Sequence, residues 1–167
     1  MSDADGEPRW LDPTQMAAWV RLIQVMAWLP PKLDEALKPH GLNTFEYGIL
    51  VSLSDAPDGQ VPVSTLAARA RGSQSRVSHA VTRLQAKGWV CRSASTTDRR
   101  LSIVTLTDAG RARLVAAAPD HVESVRQSVI DVLDDEQLLG LGSACAAIAR
   151  GLQPADVPGM APPGPWD

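Results

Sequence analysis

Residues 73–110 read SQSRVSHAVTRLQAKGWVCRSASTTDRRLSIVTLTDAG, and the fold follows from how the period changes along them. Val77, Ala80, Val81 and Leu84 recur at helical spacing, so a helix here carries one apolar stripe that packs inward. Ser73 stands where an N-cap belongs, and Gly88 where the left-handed residue after a helix belongs. Beyond the glycine the period shortens. Trp89-Val90-Cys91-Arg92 and the run from Leu101 to Leu106 read as two strands, the second alternating apolar and polar, joined by the polar, basic SASTTDRR.

The face of this helix opposite the stripe carries Gln74, Ser75, Arg76, Ser78, His79, Thr82 and Arg83. These side chains have the length and the donors to reach base edges, Arg toward guanine and Gln toward adenine, and the capped N-terminus favours a phosphate. Taken alone, the pattern also describes a solvated surface helix, so its neighbours decide. Upstream, VSTLAARAR forms a short helix with Ser64 as its expected N-cap and Leu66, Ala67 and Ala70 facing inward. Only Arg71-Gly72 separates it from Ser73, which makes a helix-turn-helix. The hairpin downstream can lay its basic tip along a minor groove.

Charge points the same way. From Val63 to Arg113 there are ten Lys and Arg against two acids, a net of +8, whereas the rest of the chain nets −11 and the whole only −3. A separation this large draws polyanions to one face and repels them from the other.

LAARARGSQSRVSHAVTRLQAKGWV followed by DRRLSIVTLTDAGRARL resembles the MarR family of winged-helix transcriptional regulators. The resemblance rests on the Asp-x-Arg element Asp98-Arg99-Arg100 and on the Leu-Thr-x-x-Gly element at 106–110, and weakens toward its limits near residues 11 and 152. It implies that Arg100, next to Arg99, enters the minor groove and that Asp98 holds the wing arginines in place. It also implies a homodimer on a palindromic operator and a small aromatic or phenolic ligand bound between the dimerisation helices and the winged domain. Trp19, Trp28, His40, Phe45 and Tyr47, with Trp10, are the candidates for such a pocket. Trp19 and Trp28 are nine residues apart, close to opposite sides of a helix, so at most one faces any one pocket. Each tryptophan also fits plain core or interface filling. No cysteine lies in the first helix, where the family's peroxide sensors place theirs.

The expected architecture is mainly α with a small β-wing: a winged helix-turn-helix plus a helical dimerisation layer. Residues 1–11 are expected to be flexible, 12–40 and 107–152 to form the dimerisation region, 43–106 the DNA-binding domain, and 153–167 a disordered Pro-rich tail. Asp12-Pro13 opens the first helix, MAAWVRLIQVMAWL is apolar on nearly every side, and Pro30-Pro31 is expected to kink it or begin a new segment. A helix apolar all round needs cover all round, which in so small a chain points to a second copy. Asn43 with Glu46 reads as a capping box, DAPDGQVPV as a loop, Thr107 as a cap, Pro119 as an interruption, and Asp134 as the start of the last helix.

Two thiols, Cys91 and Cys145, lack metal-ligand spacing and are expected to be small buried apolar groups in a reduced, cytoplasmic protein. The N-terminus is acidic rather than a signal peptide, and no apolar run is long enough to span a bilayer. There is no Gly-rich phosphate loop, and His40, His79 and His121 fall on different elements, so neither enzymatic chemistry nor a cofactor or metal is expected. The reading is a sequence-specific regulator of transcription, a repressor tuned by a ligand. Its alternative is a ligand-independent architectural DNA binder.

Overall fold

A computed structural model describes residues 8–56, 58–70, 72–94 and 101–152. Helix α1 (Pro13–Leu37) begins at Asp12, whose carboxylate accepts from the Gln15 amide at 2.9 Å while the Gln15 side chain takes the Asp12 amide, a complete capping box. A 3-10 turn, Lys38–His40, ends at Gly41 in the left-handed region (φ 69). Helix α2 (Thr44–Ser54) follows, with its first turn also tied back to α1: the Thr44 amide and hydroxyl both donate to Asp34 Oδ1, at 2.7 and 2.5 Å. Strand β1 (Gln60–Pro62), helices α3 (Val63–Arg69) and α4 (Gln74–Ala86), strands β2 (Val90–Ala94) and β3 (Ser102–Leu106), helix α5 (Asp108–Val125), a π-helical turn (Arg126–Ile130) and helix α6 (Asp135–Leu152) complete the order.

The stripe Val77, Ala80, Val81 and Leu84 is fully buried, and with Leu37, Ile49, Leu50, Leu53, Leu66, Val90 and Val104 it makes the core. The sheet is antiparallel in the order β1-β3-β2, with Val61 opposite Val104 and Val90 opposite Leu106. Burying such side chains stabilises by about 1.5–3 kcal/mol each, and here it fuses the helix-turn-helix to the sheet.

Several sequence expectations change. Residues 60–62, read as loop, form an edge strand, because β3 offers a partner that no local signal shows. That pairing carries the chain straight into α3 at Val63, so Pro62 occupies the cap position and Ser64 lies inside the helix. Pro30, Pro31 and Pro119 sit within continuous helices. A proline removes one hydrogen bond but its φ is helical, and Leu37 beyond the first pair and Ser124 beyond the third are held in the fold. Half of the Asn43 capping box forms: Asn43 accepts from the Glu46 amide, and the Glu46 carboxylate goes elsewhere. In the single chain both cysteines are exposed, Cys91 on β2 and Cys145 on α6, none of whose residues is buried.

The first helix, expected to be covered all round, buries only Leu37 in the single chain. Trp19, Val25, Met26 and Trp28 stand at least half exposed, as do Leu139 and Leu152 on α6. Among the described residues no helix is long and apolar enough to cross a membrane.

Candidate nucleic-acid interface

The surface with the chemistry to meet nucleic acid is the outward side of α4. Ser73 caps it, accepting from the Arg76 amide at 3.2 Å. Gln74, Ser75, Arg76, His79, Thr82 and Arg83 are exposed and Ser78 is half-buried. Thr82 spends its hydroxyl proton on the Ser78 carbonyl at 2.9 Å, inside the helix. The glycine after α4, Gly88, takes φ 72 and lets the chain turn into β2.

Two residues of α2 meet the arginines of this helix. The Arg76 guanidinium lies over the Phe45 ring at 4.1 Å. Glu46, only 3% exposed, receives Arg83 Nε at 2.7 Å and has Lys87 Nζ at 3.7 Å. A buried carboxylate is costly unless paired, and this one is paired twice. Lys87 also donates to the Gly41 carbonyl at 2.6 Å and lies 4.8 Å from the centre of the Trp89 ring, which Arg113 approaches from 5.2 Å.

The wing is joined to the same surface. Arg92 on β2 donates through Nε to Ser102 Oγ at 2.5 Å and through Nη1 to Ser78 Oγ at 3.4 Å. At its other end Thr107 donates to the Gly88 carbonyl at 2.8 Å and accepts from the Gly110 amide at 3.0 Å, while its own amide donates to the Trp89 carbonyl at 3.1 Å. A Cβ on Gly110 would lie 2.0 Å from that carbonyl oxygen, so the glycine of the Leu-Thr-x-x-Gly element is a requirement of close approach. Asp98, Arg99 and Arg100 lie outside the described residues, as do the chain before residue 8 and after residue 152.

The six pocket candidates are not brought together, and Trp10 stands exposed before α1. Phe45 faces α4 under Arg76. His40 Nε2 lies 2.6 Å from Asp120 Oδ2, and Tyr47 packs on His121 with ring centres 4.4 Å apart, so these two face α5. His121 Nδ1 is buried without a hydrogen-bond partner among the described residues, and burial lowers the imidazole pKa. Burial likewise raises the Tyr47 phenol. Trp19 and Trp28 remain on the open surface of α1. A groove of about 400 Å³ runs between α1 and the end of α5 with the turn after it, lined by Lys32, Glu35, Ala36, Asp120, Glu123, Ser124 and Gln127, and none of the six lines it. No group of three His, Cys, Asp or Glu among the described residues has metal-site geometry.

Sequence reading missed Glu46, Lys87 and Arg92 as parts of this surface. The one signal for Glu46 was an acid inside the apolar run FEYGILV, and it was absorbed by the capping-box reading.

Comparison with known proteins agrees with this arrangement. A family model described as the MarR family matches residues 40–101. The chain superposes with a TM-score of 0.85 on Sco3205 from Streptomyces coelicolor, a MarR family transcriptional regulator in complex with DNA; it is 38% identical, and the match covers 94% of this chain and 100% of that one. It is 27% identical to the HTH-type transcriptional regulator MhqR of Bacillus subtilis over 106 residues, 64% of this chain and 71% of that one. It is 24% identical to the HTH-type transcriptional repressor YetL of the same organism over 127 residues, 76% of each chain.

Proposed function

The chain belongs to the MarR family of transcriptional regulators, and on that premise we propose that it is a cytoplasmic homodimer that binds a palindromic operator in duplex DNA and represses transcription. The observation that carries the reading is the exposed polar face of α4, set on a buried stripe and flanked by Arg92 of the wing. Two such helices related by a dyad enter successive major grooves, so half-sites lie about 10 base pairs apart. Gln74, Arg76 and their neighbours read base edges, Ser73 and the helix N-terminus take a phosphate, and Arg99 and Arg100 extend the contact to the minor groove.

Residues 12–40 and 107–152 form the dimerisation layer in this proposal. The support is the row of large apolar side chains left exposed on α1 and α6, among them Trp19, Trp28, Leu139 and Leu152. Repression is supported by the relation to YetL. Control by a small aromatic ligand is the remaining part of the proposal, and its support is the Tyr47–His121 contact, where α5 meets the winged domain.

Selection from a random duplex pool, with light scattering at micromolar concentration, tests the core of this reading. A dimer with an inverted-repeat consensus is expected. A monomer refutes the dimer, and equal binding of unrelated duplex turns the protein into an architectural binder. A thermal-shift screen of small aromatic acids tests the ligand.

A further inference from the structure

We propose that Phe45, a residue of α2 that does not itself reach DNA, sets base preference by holding the Arg76 guanidinium in its reading orientation. This rests on the assignment of α4 as the helix that reads bases. An arginine loses rotamer freedom when it is fixed, and bidentate recognition of a guanine edge depends on the plane of its fork. Arg76 stands in the first turn of α4 with its guanidinium over the Phe45 ring at 4.1 Å. A ring this close restricts the guanidinium before DNA arrives.

The ring is itself held. A Cβ added to Gly72, in the turn between α3 and α4, would come within 3.0 Å of Phe45 Cζ and 3.1 Å of Cε2, so the ring packs against that turn. The helix that bears it is fixed at Thr44 by Asp34 and at Glu46 by Arg83. Phe45 is therefore a rigid shelf between two anchors, and its neighbour Glu46 locks α2 against the same helix that presents Arg76.

Base-preference profiles of the full chain, measured for Phe45→Leu, Phe45→Tyr, Arg76→Lys and Arg76→Ala, test the proposal. Phe45→Leu keeps an apolar group but removes the π face. It is expected to flatten the preference at one symmetric pair of operator positions by about two- to fivefold per half-site, the worth of an exposed cation–π contact. Its salt dependence should stay that of the wild type, because no cation is lost. Arg76→Lys should flatten the same pair, and Phe45→Tyr should keep the wild-type profile. Should Phe45→Leu fail to fold by circular dichroism, Gly72→Ala decides in its place: it keeps the ring in the core, crowds Cζ, and should flatten the same positions. An unchanged profile with uniformly altered affinity, weaker or tighter, overturns the proposal. If Arg76→Ala also leaves the profile unchanged, the reading of α4 falls first; if Arg76→Ala flattens it and the Phe45 and Gly72 variants do not, only the role of Phe45 falls.

Discussion

Gly110→Ala adds one methyl group at the joint where the wing returns to α5, and the structure makes it one of the least tolerable small changes in the chain. The new Cβ would stand 2.0 Å from the Trp89 carbonyl oxygen and 2.8 Å from Leu106 Cδ1. The nearer obstacle is backbone, so relief requires β2 or α5 to move by about 1 Å. Overpacking of this kind costs about 1–3 kcal/mol. Movement here also lengthens two hydrogen bonds, from the Thr107 amide to Trp89 O and from the Thr107 hydroxyl to Gly88 O. Each is worth about 1 kcal/mol. The expected loss is about 3–5 kcal/mol, a large share of the roughly 5–15 kcal/mol that holds a domain together. At about 2–4 °C per kcal/mol for a chain of this size, the Tm should fall by roughly 6–20 °C. The assay is urea unfolding followed by circular dichroism, with Gly48→Ala as the internal comparison. A Cβ at Gly48, inside α2, meets nothing within 4 Å, and that change should raise stability by about 0.5–1 kcal/mol through helix propensity alone. If Gly110→Ala costs under about 1 kcal/mol, the close-approach explanation of the Leu-Thr-x-x-Gly element is wrong.

Glu46→Gln should destabilise by about 1–3 kcal/mol in the same assay, since it leaves Arg83 and Lys87 facing a buried neutral amide, and no loss would show that the pair is worth nothing. His121 titrates below the ordinary imidazole value of 6.5 because it is desolvated, so the unfolded chain binds the extra proton first. Its contribution is present above that value and lost as the pH falls toward the depressed folded one. Between about pH 7.5 and 5.5 the wild type should therefore lose stability more steeply than His121→Phe, and equal slopes would reject the assignment. Arg100→Ala should leave the Tm nearly unchanged and weaken operator binding, with a salt dependence shallower by about one counterion per subunit. An unaltered slope by fluorescence anisotropy would remove Arg100 from the contact.

What could be read from the sequence is what neighbouring residues decide among themselves. The stripe from Val77 to Leu84, the caps at Asp12, Ser73 and Thr107, and the left-handed glycine at 88 all rest on interactions within four residues. Periodicity and cap chemistry are local, and with the basic hairpin they were enough for a winged helix-turn-helix. Tertiary structure decided whatever needed a partner distant in the chain. Residues 60–62 became a strand only because β3 lay beside them, more than forty positions away. Glu46 was drawn from its own cap to Arg83, 37 residues on, because a buried carboxylate takes the charge that packing brings to it. Phe45, a pocket candidate on the family resemblance and its ring, packs under Arg76, where the Gly72 turn leaves room for the ring. In the single chain Cys91 and Cys145 are exposed for the same reason, since burial depends on what packs over an element and not on the polarity of its residues.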